Sequence, residues 1–118
     1  MKTLIVGAST YPGRYSYLAA NSLLGHGHEI VLIGKENGQV SGNQILNGQP
    51  ELEDIDTITL YINPTRQPEL YDYLLSLKPR RIIFNPGTEN PEFEQMAEDQ
   101  GVEAIEGCTL VMLSTRQY

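Results

Sequence analysis

One cysteine, two histidines and eight lysines and arginines are all that this sequence of 118 residues holds of three chemically versatile groups. A single cysteine, Cys108, excludes an internal disulfide, and without a cysteine–histidine cluster there is no ligand set for a structural zinc. Fifteen acidic residues bring the net charge to -7, the wrong sign for a nucleic-acid-binding surface. No apolar run approaches the ~20 residues that span a bilayer. Met1 and Lys2 lead directly into strand-like sequence, without the pattern of a signal peptide. The expectation is a cytoplasmic protein that binds neither nucleic acid nor membrane. One domain over residues 1–118 is long enough to bury about two thirds of its unfolded surface without covalent support.

What the chain does have is alternation. Short β-branched runs at Thr3–Val6, Glu29–Ile33, Thr57–Ile62, Arg81–Phe84 and Glu103–Ile105 are separated by helical patterns. That is the signature of a parallel sheet covered on both faces. Tyr15, Leu18, Ala19 and Leu23 share one helical face, Leu70, Leu74 and Leu77 a second, and Phe93, Met96 and Ala97 a third. Pro68 and Pro91 suit first helical turns, Asn90 suits a cap, and Gly25, Gly27 and Gly101 suit helix ends. Gly34 to Glu53 has no helical period and reads as a long connection with one short edge strand near Gln44 to Leu46. The fold expected is α/β, a single Rossmann-like three-layer domain with a parallel sheet of five to six strands.

The first strand runs into Gly7-Ala8-Ser9-Thr10-Tyr11-Pro12-Gly13-Arg14 and then a helix starting near Ser16. Small residues let backbone approach an anion, and a helix N-terminus offers free N–H groups with roughly half a positive charge. A nucleotide-type ligand is the first hypothesis. The loop is not the dinucleotide fingerprint Gly-x-Gly-x-x-Gly, because Ser9 and Pro12 replace its second and third glycines.

Open parallel sheets bind ligands beyond the carboxyl ends of their strands. There this chain presents Gly34 and Lys35 after the second strand, Asn63, Pro64, Thr65 and Arg66 after the third, Asn85, Pro86, Gly87 and Thr88 after the fourth, and Gly107, Cys108 and Thr109 after the fifth. The exits place no carboxylate before Glu89, while Arg14, Lys35 and Arg66 bring cations, which are either an anion site or ordinary surface charges. Lys78, Arg80 and Arg81 precede the fourth strand and are expected to face solvent at the other end of the sheet. Selection of NAD uses an acidic residue at the second exit; Gly34-Lys35 suits a phosphorylated ribose, as in NADP or coenzyme A.

His26 and His28 fall at the wrong end of the sheet to act as bases, which casts Ser9 as a phosphate donor and not as a nucleophile. Tyr11 is either a stacking platform for an adenine or pantetheine arm or an exposed spacer. Cys108 is either a small buried hydrophobe or a thiol beside that arm, with Leu110 to Leu113 folding back over the site.

Gly7-Ala8-Ser9, then Pro12, Arg14 and Ser16-Tyr17, then Gly27-His28-Glu29-Ile30-Val31, Asn85-Pro86-Gly87-Thr88 and the late Cys108, together resemble the stand-alone CoA-binding domain proteins. These are Rossmann-type proteins related to the N-terminal domain of the succinyl-CoA synthetase α-subunit. The resemblance implies that Gly7, Ala8, Ser9 and Arg14 contact the pyrophosphate or 3′-phosphate of CoA, with Ser16 starting the helix beneath. It places Lys35 near the adenosine end, and Asn63 to Thr65 and Asn85 to Thr88 along the pantetheine arm. At the second exit the chain departs from the family's Pro-x-Asn, carrying Gly34-Lys35-Glu36-Asn37 instead. The expected function is binding of CoA or an acyl-CoA by a module without chemistry of its own. The alternatives are an NADP-binding module or small reductase, and a subunit of an acyl-CoA synthetase-like enzyme. A protein partner or a homo-oligomer stays open.

Overall fold

In the computed structural model, which describes all 118 residues, the strands are β1 (Lys2–Val6), β2 (Glu29–Ile33), β3 (Gln39–Val40), β4 (Asn43–Leu46), β5 (Thr57–Leu60), β6 (Arg81–Phe84) and β7 (Glu103–Glu106). The helices are α1 (Tyr15–Gly25), α2 (Tyr71–Ser76), α3 (Pro91–Asp99) and α4 (Thr109–Ser114). The sheet has seven strands in the order β3-β4-β2-β1-β5-β6-β7, all parallel except β3 against β4. No helix is long and apolar enough to cross a membrane.

Seven strands exceed the expected five to six because the connection after β2 contains a hairpin. Val40 and Asn43 pair across Ser41 and Gly42, both at positive φ (50° and 84°), which is the backbone of a two-residue turn matched to strand twist. A two-residue strand with one apolar member carries no periodicity, so the turn alone defines it.

Alternation along β1 divides the core. Leu4 and Val6 join Ile58, Leu60, Phe84, Leu74 and Phe93 on one face, while Ile5 joins Leu32, Ala20, Leu23 and Leu113 on the other. On the first face Phe93 stacks on Tyr71 and meets Phe84 edge-on. Asn90 caps α3 as expected, its Oδ1 accepting from the Phe93 N–H at 3.2 Å. Pro68 opens a 3-10 turn and not α2 itself, which begins only at Tyr71.

Two helical expectations are corrected. The buried face of α1 is Ser16, Ala19, Ala20 and Leu23, with Tyr15 and Leu18 on the exposed side. Small side chains let this helix lie close on the sheet, which turns the larger ones outward. The tail from Leu110 to Leu113 does not close over the strand exits: α4 packs on α1, and Leu113 is buried in the same cluster as Leu23.

A third correction concerns Arg81, which is buried, not solvated. Its position as the first residue of β6, a strand paired on both sides by β5 and β7, takes it into the sheet, where Nε donates to the Thr57 hydroxyl at 2.9 Å.

From β1 the chain adds β2 on one side, then the edge strand β3 and, between it and β2, β4, before it returns to β1's other side to continue through β5, β6 and β7. The winding therefore reverses at β1 and β5, and a crevice opens beyond their carboxyl ends.

Candidate ligand-binding cleft

The loop leaving β1 is held by both neighbouring strands. The N–H groups of Gly7 and Ala8 donate to the Ile33 carbonyl at 2.8 and 2.9 Å, turning the chain at the end of β2. Gly7 has φ of 96°, and a Cβ there would stand 2.9 Å from both the Tyr61 carbonyl and the Ile62 side chain. Gly34 is equally constrained, since a Cβ would come within 2.5 Å of the Ala8 carbonyl oxygen. Ser9 is buried, and its Oγ accepts from the Tyr11 N–H at 3.1 Å to shape the turn before α1. The first N–H groups of a helix have no partner within it, and Arg14, the residue capping α1, contributes no side-chain bond to them.

A cleft of about 480 Å³ opens in front of this loop, within the range of small-molecule sites, about 300–1,000 Å³. Gly7, Ala8 and Ser9 form its back, and Arg14, Tyr15 and Ser16 bring in the start of α1. Lys35 and Glu36 come from the exit of β2, Tyr61 to Asn63 and Arg66 from that of β5, and Pro86 to Thr88 from that of β6. A smaller hollow of about 310 Å³ adjoins it, sharing Gly7, Lys35, Ile62 and Arg66 and reaching Gly34, Gly48 and Gln49.

The structure thus brings Gly7, Ala8, Ser9, Arg14, Ser16, Lys35, Asn63, Pro86, Gly87 and Thr88 to one cleft and Gly34 to the adjoining hollow. Tyr11, Pro12, Pro64, Thr65, Asn85 and Cys108 line neither. Tyr11 is exposed, with its ring folded over its own loop, where a Cβ at Gly13 would meet it at 2.8 Å. Asn63 uses its side-chain Oδ1 to cap the 3-10 turn at Pro64–Arg66, accepting from the Thr65 N–H at 3.0 Å. Cys108 is half-buried at the start of α4.

Asn85 faces the sheet interior. Its Nδ2 donates to the Thr59 hydroxyl (2.6 Å) and the Leu60 carbonyl (2.8 Å), and its Oδ1 accepts from the Thr109 N–H (2.9 Å). The adjacent Thr88 hydroxyl donates to the Asn85 carbonyl at 2.8 Å, which keeps the loop lining the cleft in place. Sequence reasoning missed Gln67, which is fully buried. Its Nε2 donates to the carbonyls of Ile62 (3.1 Å) and Thr88 (2.8 Å), tying two walls of the cleft together. A polar residue between two turn prolines gives no hint that it is buried.

The electrostatics combine three cations with one carboxylate. Arg14, Lys35 and Arg66 all line the cleft, and none is in an ion pair, the molecule's one salt bridge being Arg80–Asp56. Being unpaired does not distinguish them, because Arg80 alone among the eight basic residues is paired; their convergence on one cleft does. The expectation of no carboxylate before Glu89 is overturned by Glu36, whose Oε1 accepts from the N–H (3.2 Å) and hydroxyl (2.7 Å) of Thr10. The hydroxyl of Ser9 beside it, then the two groups of Thr10, hold the Glu36 carboxyl below the usual range. Proximity in sequence to the second exit was the available signal; the reach back to the first loop was not.

A mainly parallel open sheet with a polar, cation-bearing crevice at its reversal point defines a Rossmann-like domain. The chain belongs to the CoA binding domain family, whose model matches residues 1–114. A crystal structure of an uncharacterized protein is similar over 99% of this chain and 97% of its own, at 53% identity and a TM-score of 0.97. A Thermus thermophilus protein, cell-free ID.343, shares the fold at 17% identity and a TM-score of 0.88, covering 99% of this chain and 90% of that one. A conserved hypothetical protein from Pyrococcus furiosus does so at 24% identity and a TM-score of 0.80, covering 93% of this chain and 97% of that one. No curated protein matches the sequence.

Proposed function

We propose that this protein binds coenzyme A or an acyl-CoA in the cleft, as a binding module without a reaction of its own. The observation that carries the reading is the convergence of Arg14, Lys35 and Arg66 with the Gly7-Ala8-Ser9 loop, in a chain of the CoA binding domain family that is otherwise acidic. CoA carries a pyrophosphate and a ribose 3′-phosphate, so a cleft with several separate cations matches its charge distribution. The phosphates would meet Ser9, Arg14 and the open end of α1; the pantetheine arm would run between Asn63 and the Pro86–Thr88 loop. A binding role is supported by the placement of His26 and His28 between α1 and β2, at the far end of the sheet from Ser9, which leaves the cleft without an imidazole base.

Native mass spectrometry of freshly purified protein, with thermal scans in CoA, dephospho-CoA, NADP and NAD, tests the reading. Saturation to about a hundredfold over Kd contributes about 2.7 kcal/mol, a shift on the order of 10 °C for a domain of this size. The expected order places CoA first, with dephospho-CoA and NAD well behind. NADP travelling with the protein in place of CoA, or equal shifts by NAD and CoA, would overturn it.

A further inference from the structure

Glu36 is an exposed residue just past β2, yet its carboxylate is not free. The Ser9 hydroxyl and both donors of Thr10 meet it, Oε1 accepting from the Thr10 N–H at 3.2 Å and from the Thr10 hydroxyl at 2.7 Å. The backbone beneath is fastened. The Asn47 amide donates to the carbonyls of Gly34 (2.7 Å) and Glu36 (3.2 Å), and Gly38 lies so close to Thr10 that a Cβ would meet its methyl group at 2.9 Å. An exposed side chain on such a fixed backbone can turn into solvent without disturbing the fold.

The donors it takes belong to the loop after β1. A serine hydroxyl has one proton to give. That of Ser9 goes to Glu36, while the Ser9 Oγ accepts from the Tyr11 N–H at 3.1 Å, so nothing is left over for a ligand. Carboxylate and phosphate are both anionic acceptors, which compete for the same N–H and O–H groups and repel each other at close range. Arg14 is near enough to favour the charge on Glu36 without forming an ion pair with it. The free cleft thus already carries an anion on its loop.

We propose that Glu36 is a resident competitor of the ligand: its carboxylate occupies the Ser9 and Thr10 donors until a phosphate displaces it, and so sets how tightly this chain holds a phosphorylated ligand. The inference rests on the phosphate-binding part of the CoA reading above. A site open for only part of the time binds with an affinity reduced by the open fraction. Calorimetric titration of CoA and of inorganic pyrophosphate into the unmodified protein, Glu36→Ala and Thr10→Val tests it. Glu36→Ala removes the competing anion. Thr10→Val keeps that charge and the methyl contact with Gly38, and removes only the hydroxyl that holds the carboxylate in place. Glu36→Ala is expected to bind both ligands about tenfold more tightly, the scale of one hydrogen bond to a charged group, and Thr10→Val about threefold. Equal or weaker binding by Glu36→Ala overturns the role of Glu36. So does tighter binding by Glu36→Ala with Thr10→Val unchanged, which is the mark of charge repulsion without occupancy. No CoA binding in any of the three proteins, with pyrophosphate still held more tightly by Glu36→Ala, overturns the CoA reading and not this one. Failure of all three to bind either ligand overturns both.

Discussion

The guanidinium of Arg81 lies over the ring of Tyr118, 4.4 Å from its centroid. This is the end of the sheet opposite the cleft. The same ring meets His28 at 4.9 Å, and its hydroxyl is hydrogen-bonded to that of Thr3. Arg81 Nη2 is buried without a hydrogen-bond partner, so the aromatic face is the compensation this cation receives on that side.

Replacing Tyr118 by Ala removes a cation–π contact of about 0.5–2 kcal/mol together with ring packing, while letting water reach Nη2. The packing loss outweighs the hydration, and we expect a net loss of about 1–2 kcal/mol in urea denaturation. Ligand affinity should not change, because the cleft is at the other end of the strands. Stability unchanged in Tyr118→Ala would mean that Arg81 needs no cover.

Tyr61 lines the cleft, but its hydroxyl is buried with no hydrogen-bond partner, and burial pushes its pKa up to about 12. A folded-state value above the unfolded one of about 10 means the stability contribution is complete below that pH and is lost as pH rises toward the folded value. Two units correspond to about 2–3 kcal/mol of alkaline destabilisation. Tyr61→Phe should remove most of that loss while matching the unmodified protein at neutral pH. Urea midpoints near pH 8 and pH 11 measure it; parallel alkaline declines in both proteins would count against this origin.

Asn85→Ala leaves the Leu60 carbonyl and the Thr109 N–H without their buried partner, at about 1–3 kcal/mol for each group. The expected loss is about 2–4 kcal/mol overall. Arg14→Ala should behave in the opposite way, keeping its melting temperature and weakening CoA by about ten- to a hundredfold. Denaturation and titration on the two variants separate a scaffold role from a contact role; a stable Asn85→Ala with lost CoA binding would make Asn85 a ligand residue after all.

Gly34→Ala forces a methyl group against the Ala8 carbonyl, so the exits of β1 and β2 must separate. Overpacking of this kind costs about 1–3 kcal/mol, and here it falls on the loop that faces the cleft. A lowered melting temperature together with weakened CoA binding is expected. An unperturbed variant would show that the two loops are not held in contact.

Local order was legible in the sequence because it depends on neighbours within a few residues. The β-branched runs became β1, β2, β5, β6 and β7, Asn90 capped α3, and the small-residue loop met the N-terminus of α1 at the reversal of the sheet. The β3–β4 hairpin was less legible, since two residues at positive φ and not a hydrophobic period define it. In α1 the periodicity was real, yet helical spacing does not say which of two apolar stripes packs: the sheet accepted the one with Ser16 and two alanines.

Everything that depended on partners distant in sequence was decided by the tertiary structure. Arg81 was buried because β6 runs beside β5 and brings it to Thr57, twenty-four positions away. Asn85 turned inward because Thr59 and Thr109 converge behind it, and Glu36 reached Thr10 because two strand exits meet. A polar side chain obtains its partners wherever the fold brings donors and acceptors together. The amino-acid order alone thus determined where strands, helices and the small-residue loop after β1 form, while the packed sheet determined which polar residues became scaffold and which remained to line the cleft.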